Sequence, residues 1–288
     1  MKVLLINIDQ KFPNLALEKI ALCYKRDEVL WDLPMYASQC EETYVSCIFS
    51  WNKYLCKEWE GKAHIGGSGY DITKKLPQNI EELKPHINWG FTTRGCIRKC
   101  GFCIVPKKEG NIRAVGDLYD LWDGKGKDVV LLDNNILCLP DHFKMICEQA
   151  RGKKLRLDFN QGLDYRLLTD DICKELKATS VKDYRFAFDH PSMADDVGRA
   201  IEMLQRHGIN RGSWYVLVGF NSTFDQDIQR LNYLRDRNQN AYVQRYNKTK
   251  DPKYIPLAEW GNQRHIFHGM TWEQFMEHPR SKKKYANA

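Results

Sequence analysis

Three cysteines, Cys96, Cys100 and Cys103, lie within eight residues of one another. Three residues separate the first pair and two residues separate the second pair. One short loop can therefore bring three thiolates around a single metal centre, since the thiolate is the form of cysteine that binds metals. Compact cysteine groups with such spacing are typical of metal sites.

The number of cysteines distinguishes between metals. A structural zinc site takes four closed ligands, commonly from two cysteine pairs, and the sequence has no second Cys-x-x-Cys pair and no His-x-His pair. Zinc is therefore disfavoured. Iron-sulfur clusters are held by closely spaced cysteines, normally four of them. A cubane cluster bound by only three cysteines has one iron open to a small-molecule ligand.

The stretch around these cysteines resembles the signature of a known family. The order Cys96-x3-Cys100-x-Phe102-Cys103, with an aromatic residue before the last cysteine, is similar to the motif of the radical S-adenosylmethionine (SAM) superfamily. In that family the three cysteines bind a 4Fe-4S cluster, and SAM chelates the fourth iron through its amino and carboxylate groups. The aromatic residue, here Phe102, lies near the adenine.

The resemblance also implies a mechanism. The reduced cluster donates one electron to the sulfonium of SAM, the bond to the 5′ carbon breaks, and the 5′-deoxyadenosyl radical abstracts hydrogen from a substrate. The protein orients the reactants and excludes competing solvent. An electron donor such as flavodoxin or ferredoxin is the expected partner.

Composition indicates a soluble, cytosolic protein. With 43% hydrophobic and 28% charged residues the chain can bury a core. No run approaches the roughly 18 apolar residues of a membrane helix, and the first residues have the pattern of a strand rather than of a signal peptide. The other seven cysteines have no paired spacing, which favours reduced thiols over disulfides.

Residues 1–86 are predicted to form a small Rossmann-like α/β domain. The expected elements are a helix and three strands, at Leu15–Tyr24 and at Val3–Ile8, Tyr44–Phe49 and Lys62–Ile65. The last strand runs into Gly66-Gly67-Ser68-Gly69. The position of this domain resembles that of the cobalamin-binding domain in one branch of the radical-SAM superfamily, and Gly66-Gly67 lies where that domain has a glycine pair.

The first loop departs from the cobalamin-binding pattern. That family carries Asp-x-His-x-x-Gly, whose histidine ligates cobalt, whereas Asp9 is followed here by Gln10-Lys11-Phe12-Pro13-Asn14. Cobalamin ligated through that histidine is therefore not expected, and cobalamin held without it stays open. A scaffold or substrate-recognition lobe without a cofactor is favoured, in which the glycines make a tight turn.

Residues 87–250 alternate strands and helices after a linker at Leu76–His86, which predicts a partial parallel (β/α)6 barrel. The expected strands are Ile87–Thr92, Val129–Leu132, Leu155–Phe159, Tyr184–Phe188, Tyr215–Val218 and Ala241–Arg245. The expected helices are Asp141–Ala150, Asp170–Lys177, Ala194–Gln205 and Phe224–Arg237. Thr169 is a predicted N-cap, and Thr223 with Gln226 a predicted capping box.

Residues 251–288 are predicted to form a helical extension and a basic tail. A helix is expected at Trp272–His278 behind a capping box of Thr271 and Gln274. Lys282-Lys283-Lys284 is expected to be a solvated tail.

Polar residues follow the strands at their carboxyl ends, where parallel barrels place their chemistry. In the resembled family the amino acid part of SAM is met after strand two, its ribose after strands three and four, and its adenine after strand five. The resemblance therefore implies SAM contacts at Asn134, Asn135, Asn160, Gln161, Asp189 and Gly219. The alternative for each residue is a helix cap or a turn, and Asp189 could equally cap the helix near Ser192.

The charge distribution indicates which charge the substrate carries. Residues 87–116 hold six basic side chains against one acidic side chain, and residues 241–288 hold nine against four. A basic rim beside an active site attracts anions, so an anionic substrate is expected, with nucleic acid as one candidate. Alternatively these cations balance the cluster and the carboxylate of SAM. Aromatic residues that could stack on bases, or belong to the core, are Tyr242, Tyr246, Tyr254, Trp260 and Trp272.

Two other functions stay open. Cys103-Ile104-Val105-Pro106 also occurs in tRNA methylthiotransferases, so a radical-SAM methyl- or methylthiotransferase acting on RNA is one alternative. Against it, the N-terminal cysteines form no second cluster motif, and the C-terminal residues are too few for the β-barrel of that branch. The second alternative is a non-catalytic, metal-stabilised module that binds nucleic acid, in which zinc holds the fold.

Overall fold

A computed structural model describes residues 1–246 and 251–285 of the chain. Residues 247–250, next to the predicted boundary between the strand-helix region and the C-terminal extension, and residues 286–288 of the predicted tail lie outside the described residues. The chain has a mixed α/β architecture with parallel sheets, as the sequence predicted.

A four-stranded parallel sheet is built from residues 2–66. Its strands are β1 (Lys2–Asn7), β2 (Glu28–Trp31), β3 (Glu42–Ser46) and β4 (His64–Gly66). Their spatial order is β2-β1-β3-β4, so the chain reverses direction across the sheet between β1 and β3, as in doubly wound folds.

The two faces of this sheet are covered differently. Val3 and Leu5 of β1 point to helix α1 (Leu15–Cys23), whereas Leu4 and Ile6 point to the opposite face. That opposite face is covered by two 3-10 segments, Pro34–Gln39 and Ser50–Trp59, rather than by α-helices. The predicted strands and helix are confirmed, whereas β2 was not predicted, because its four residues lie at the sheet edge and are only partly buried.

Six further strands run parallel in two three-stranded sheets. They are β5 (Trp89–Gly90), β8 (Asp128–Leu131), β9 (Arg156–Phe159), β10 (Arg185–Ala187), β11 (Ser213–Val218) and β12 (Asn240–Arg245). The orders are β5-β8-β9 and β10-β11-β12. An isolated parallel bridge between Leu157 and Val181 lies beside β9, and the Leu163 N–H donates to the Arg185 carbonyl at 2.7 Å. Each predicted strand of this region is present.

The helices of this region cover one face of the strands. They are α4 (Pro140–Lys153), α5 (Asp170–Ala178), α6 (Ala194–Arg206) and α7 (Phe224–Asp236), after the single turns α2 (Gln78–Glu81) and α3 (Val105–Lys108). The buried strand residues Leu157, Phe186 and Trp214 pack in the main core with them. The Thr169 cap and the Thr223–Gln226 capping box form as predicted.

The C-terminal extension is more structured than predicted. Its helices are α8 (Tyr254–Asn262), α9 (Arg264–Gly269), α10 (Trp272–Glu277) and α11 (Pro279–Lys284). Lys282–Lys284 are exposed, as predicted, but they belong to α11 rather than to an unstructured tail: Ser281 of this helix and Tyr285 after it are buried, and Lys284 pairs with Glu259. The Asn262 side chain accepts from the Val243 N–H and donates to the Val243 carbonyl. Val243 belongs to β12, which is an edge strand.

The first sheet meets the rest of the chain through ion pairs. Arg94 bridges Glu81 and Glu109, at 3.3 Å and 3.0 Å. Lys19 of α1 also pairs with Glu81, at 3.2 Å, and Lys108 donates to the Ser68 hydroxyl. Arg94 and Lys108 flank the cysteines in sequence. Their contacts with Glu81 and Ser68 therefore connect the first sheet to the rest of the chain and also hold both ends of the cysteine stretch.

Candidate metal centre and cofactor site

A short hairpin closes the base of the cysteine stretch. Strands β6 (Thr93–Arg94) and β7 (Arg113–Ala114) pair antiparallel, and the Cys96 N–H donates to the Gly110 carbonyl at 3.2 Å. Gly95 has a φ of +89°, and a Cβ there would overlap the Asn111 carbonyl. Residues 95–112 therefore form a loop, here called the cysteine loop, whose neck requires glycine.

All three cysteines of the motif belong to this loop. The Cys103 N–H donates to the Cys100 carbonyl at 3.0 Å, and all three thiols are unbridged and partly exposed. Burial raises the pKa of Cys100 and of Cys103, and the neighbouring thiol groups add to the rise. Across residues 1–246 and 251–285, no three His, Cys, Asp or Glu side chains converge closely enough to hold a metal ion.

A fourth cysteine, Cys138, lies beside the loop. Burial raises the pKa of Cys138, whereas a hydrogen bond with the Ile97 backbone opposes the rise, and Cys96 is among its charged neighbours. The sequence did not predict that Cys138 lies beside the cysteine loop, because Cys138 is 35 residues beyond Cys103. It reaches the loop because it ends the 3-10 turn Ile136–Cys138, which follows β8.

The residues after β8 contact the cysteine loop directly. Asn134 Oδ1 accepts from the Gly95 N–H at 2.9 Å. Asn135 Nδ2 donates to Cys96 Sγ at 3.4 Å and to Asp164 Oδ2 at 3.1 Å. Asn135 Oδ1 is buried and finds no hydrogen-bond partner among the described residues. Asn134 therefore holds the loop, whereas Asn135 presents an acceptor beside the cysteines.

Asp133, the first residue of the same turn, was not predicted as a site residue. Its Oδ1 accepts from the backbone and hydroxyl groups of Thr92 and Thr93, which immediately precede the cysteine loop. Burial raises the pKa of Asp133 despite these donors. Its side chain fixes the end of β5 to the end of β8 and so sets where the loop begins.

Asp164 joins three loops and was also missed. It accepts from Arg98 Nε at 2.8 Å, from Arg166 Nε at 2.7 Å and from Asn135 Nδ2 at 3.1 Å. Burial alone would raise the pKa of Asp164, but the donors Arg166 and Arg98 outweigh it and the pKa lies below its ordinary value. Asp and Arg are common in surface turns, so sequence gave no signal for this contact.

The two residues after β9 that were predicted to contact SAM have solvent-exposed side chains. Asn160 and Gln161 are exposed, and Gln161 Nε2 donates to Asn160 Oδ1 at 3.4 Å. The Asn160 carbonyl accepts from the Tyr215 hydroxyl at 2.7 Å. The backbone of this turn is therefore tied to β11, whereas both amide side chains face solvent.

Asp189 does not cap the following helical turn. His190 Nδ1 accepts from the Ser192 N–H instead. Burial raises the pKa of Asp189 to about 6, although the charges of Arg230 and Arg166 oppose the rise. Asp189 also appears among the charged neighbours of Cys100 and Cys103, so this carboxyl lies on the cysteine side of the strands.

Phe102 contacts the residue that follows Gly219. Gly219 has a φ of +74° and its N–H donates to Asp227 Oδ2 at 3.1 Å. The next residue, Phe220, contacts Phe102 edge to face at 5.6 Å between ring centroids, and contacts Tyr246 at 4.6 Å. Phe220 was not predicted as a site residue, although it forms a wall with the aromatic residue of the motif.

The predicted basic rim is partly neutralised. Arg94 and Arg98 are held in ion pairs, and Arg113 donates to the Glu109 carbonyl. Lys99 and Lys107 are exposed and form no ion pair in the part of the chain that the structure describes. Of the predicted stacking residues, Tyr254 and Trp260 are in the core, whereas Tyr242 is 49% exposed.

The turn after β4 packs against its own sheet at two glycines, Gly67 and Gly69, whereas a Cβ at Gly66, the first of the predicted pair, would have no close neighbour among the described residues. A Cβ at Gly67 would overlap the carbonyl of Cys47, and one at Gly69 would overlap the backbone of Phe49. The Asp9 carboxylate accepts from the backbone N–H groups of Ile48 and Phe49. These contacts occupy the carboxyl edge between β1 and β3, the place where doubly wound sheets bind ligands.

Neither a protein-family model nor a curated protein sequence matches this chain. None of the helices in residues 1–246 and 251–285 has both the length and the apolar character needed to span a bilayer.

Proposed function

We propose that this protein is a radical-SAM enzyme that cleaves SAM at a 4Fe-4S cluster and abstracts hydrogen from an anionic substrate. The observation that carries the proposal is the position of the cysteine loop. The loop contacts the residues after β8 and β9, at the carboxyl ends of parallel strands, where catalytic groups of parallel α/β folds collect. In this proposal the two three-stranded sheets form one partial barrel.

The donors around the loop fit a cluster held by three cysteines. Three unbridged thiols are partly exposed in one loop, and Cys96 Sγ already accepts from the Arg98 N–H at 3.3 Å and from Asn135 Nδ2 at 3.4 Å. Hydrogen bonds to sulfur are one of the means by which proteins set the potential of such clusters. Cys96, Cys100 and Cys103 would be the ligands.

The surrounding residues fit the parts of SAM. Asn135 Oδ1, buried and unpartnered among the described residues, can accept a hydrogen bond from an ammonium group. Asp189 lies beside the cysteines and can accept from ribose hydroxyls. Phe102 and Phe220 offer ring faces and edges to adenine. Asn160, Gln161 and the backbone at Gly219 complete the proposed set, while Asn134 is engaged with Gly95.

When bound, the cluster supplies the electron that cleaves SAM to the 5′-deoxyadenosyl radical. The chain's own residues hold the reactants: Asn135 orients the amino group, Asp189 orients the ribose, and the aromatic wall excludes water from one side. Exposed Lys99 and Lys107 on the cysteine loop would attract an anionic substrate or an acidic electron-donor protein.

The experiment is anaerobic reconstitution with iron and sulfide, followed by SAM and dithionite. We expect 5′-deoxyadenosine by mass spectrometry and, where turnover needs substrate, a SAM-induced change in the electron paramagnetic resonance spectrum of the reduced cluster. Cys100→Ala should lose both signals. Cys40→Ala, which removes another partly exposed thiol away from the loop, should keep them.

Two results would contradict the proposal. Purification with bound zinc and no cluster assembly would favour the metal-stabilised binding module. A cluster that binds no SAM would leave the cysteine loop as an electron-transfer or structural site and would remove the role given to Asn135 and Asp189.

A further inference from the structure

Asp164 is a buried carboxylate that contacts both the cysteine loop and the turns beside it. Its side chain is only 5% exposed, and both of its oxygens accept from cationic donors, Arg98 on one and Arg166 on the other. Arg98 lies between two of the cysteines in sequence. Asp164 therefore ties the middle of the cysteine loop to the turn that follows β9.

The same carboxylate fixes the orientation of the Asn135 amide. Asn135 Nδ2 uses its two hydrogens on Asp164 Oδ2 and Cys96 Sγ. The reversed amide would place its oxygen against the Asp164 carboxylate, which has no hydrogen to donate. Asp164 thus determines that an N–H group, rather than an oxygen, faces Cys96.

The charges around Asp164 also act on the cysteines. Arg98 is part of the loop itself, and Arg166 lies on the adjoining turn, where it is a charged neighbour of Cys100. With Asp164 ionised, one negative charge lies between these two positive charges. Removing that negative charge leaves two arginines beside the thiols without their shared partner.

We infer that Asp164 is a positioning residue for the metal centre: it directs the Asn135 N–H to Cys96 Sγ and balances Arg98 and Arg166, and so sets the reduction potential of the bound cluster. The inference rests on the proposed function and adds to it the residue that controls how easily the cluster accepts its electron. Cluster potentials respond to net local charge and to hydrogen bonds on sulfur.

Two substitutions should shift the potential in opposite directions. Asn135→Leu removes an N–H donor to sulfur, and since such a donor stabilises the more negative reduced cluster, its loss lowers the potential. Asp164→Asn keeps a side-chain oxygen that can accept from Asn135 Nδ2, but it removes a negative charge and leaves Arg98 and Arg166, so it stabilises the added electron and raises the potential. A purely structural role for Asp164 would not produce shifts of opposite sign.

The test is a redox titration of the reconstituted protein at one fixed pH, followed by electron paramagnetic resonance. We expect each variant to shift the potential by at least the 59 mV that corresponds to a tenfold change in a one-electron equilibrium. Asp158→Asn is the matched control, because Asp158 is equally buried and pairs with Arg185 and Lys182 rather than with the cysteine loop. Its potential should equal that of the wild type.

The possible outcomes distinguish a failure of the proposed function from a failure of the role given to Asp164. A wild-type protein that assembles no cluster overturns the proposed function itself. A wild-type cluster whose potential is unchanged in Asn135→Leu and Asp164→Asn, or moves in the same direction in both, overturns the positioning role alone. If Asp164→Asn fails to fold, Arg166→Gln tests the charge balance alone: losing that positive charge should lower the potential, and an unchanged potential would overturn the positioning role.

Discussion

Asp227 and Arg230 form an ion pair within one turn of α7, with side chains that are 0% and 2% exposed. Arg230 also donates to the carbonyls of Phe188 and Leu217, which lie directly at the ends of β10 and β11. Asp227 accepts from the Gly219 N–H. One buried pair thus holds both turns that present Asp189 and Gly219.

Arg230→Met should destabilise the protein by about 3–5 kcal/mol, the usual cost of leaving one partner of a buried ion pair uncompensated. The measurement is the free energy of unfolding in urea. Asp227→Leu combined with Arg230→Met should recover part of the loss, because neither charge then remains buried alone. A single variant that unfolds like the wild type would show that the pair does not hold these turns.

The buried carboxyl of Asp189 should give stability a pH dependence of unusual sign. Since burial raises its folded pKa to about 6, the native state binds a proton more tightly than the unfolded chain does. Between about pH 4 and pH 6 its contribution therefore falls as the pH rises. Asp189→Asn removes this loss, and should be more stable than the wild type at pH 7 by about 3 kcal/mol.

The check is the difference in unfolding free energy between Asp189→Asn and the wild type, measured from pH 4 to pH 7. The difference should grow with pH and level off above pH 6. A difference independent of pH would mean that Asp189 is solvated. The same variant should weaken SAM binding if Asp189 contacts the ribose.

Gly67→Ala should destabilise the N-terminal sheet more than Gly61→Ala. Both glycines have positive φ, +94° and +74°, but an added Cβ at Gly67 meets the Cys47 backbone, whereas nothing lies within 4 Å at Gly61. Left-handed backbone costs an alanine about 1–2 kcal/mol at either site, and overpacking adds about 1–3 kcal/mol at Gly67. Urea unfolding of both variants gives the comparison, and equal losses would contradict the close packing.

Cys138→Ala should leave the iron content at about four atoms per chain, because three cysteines suffice for the proposed cluster. Cys96→Ala should lose it. The measurement is iron and sulfide analysis after reconstitution, with the electron paramagnetic resonance spectrum recorded with and without SAM. If Cys138→Ala alone abolished the SAM-induced change, Cys138 would have to be placed among the SAM contacts.

The regular parts of this fold could be predicted from sequence because their signals are local. β11 carries an apolar run, and Thr223 and Thr271 mark helix starts through contacts three residues away. β2 and the β6–β7 hairpin could not be predicted, since they are four and two residues long per strand and depend on partners elsewhere in the chain.

The site was predictable only in part for the same reason. The cysteines were recognised from their spacing. Asp164, by contrast, contacts Arg98, which is 66 positions away in sequence, and Asn135, which is 29 positions away. No sequence pattern links such residues, because parallel strands bring their carboxyl ends together through long connections. These contacts of Asp164 beside the cysteine loop are visible only in the three-dimensional structure.

The neck of the cysteine loop has a consequence for how the protein matures. Because β6 pairs with β7 and Cys96 is tied to Gly110, the loop is closed by backbone bonds that involve no thiol. Under the proposed function, the backbone that surrounds the cysteines would therefore form before any metal binds, and iron and sulfide would be added afterwards to the folded loop. The chain would then differ from metal-nucleated domains such as zinc fingers, which fold only when they bind their metal.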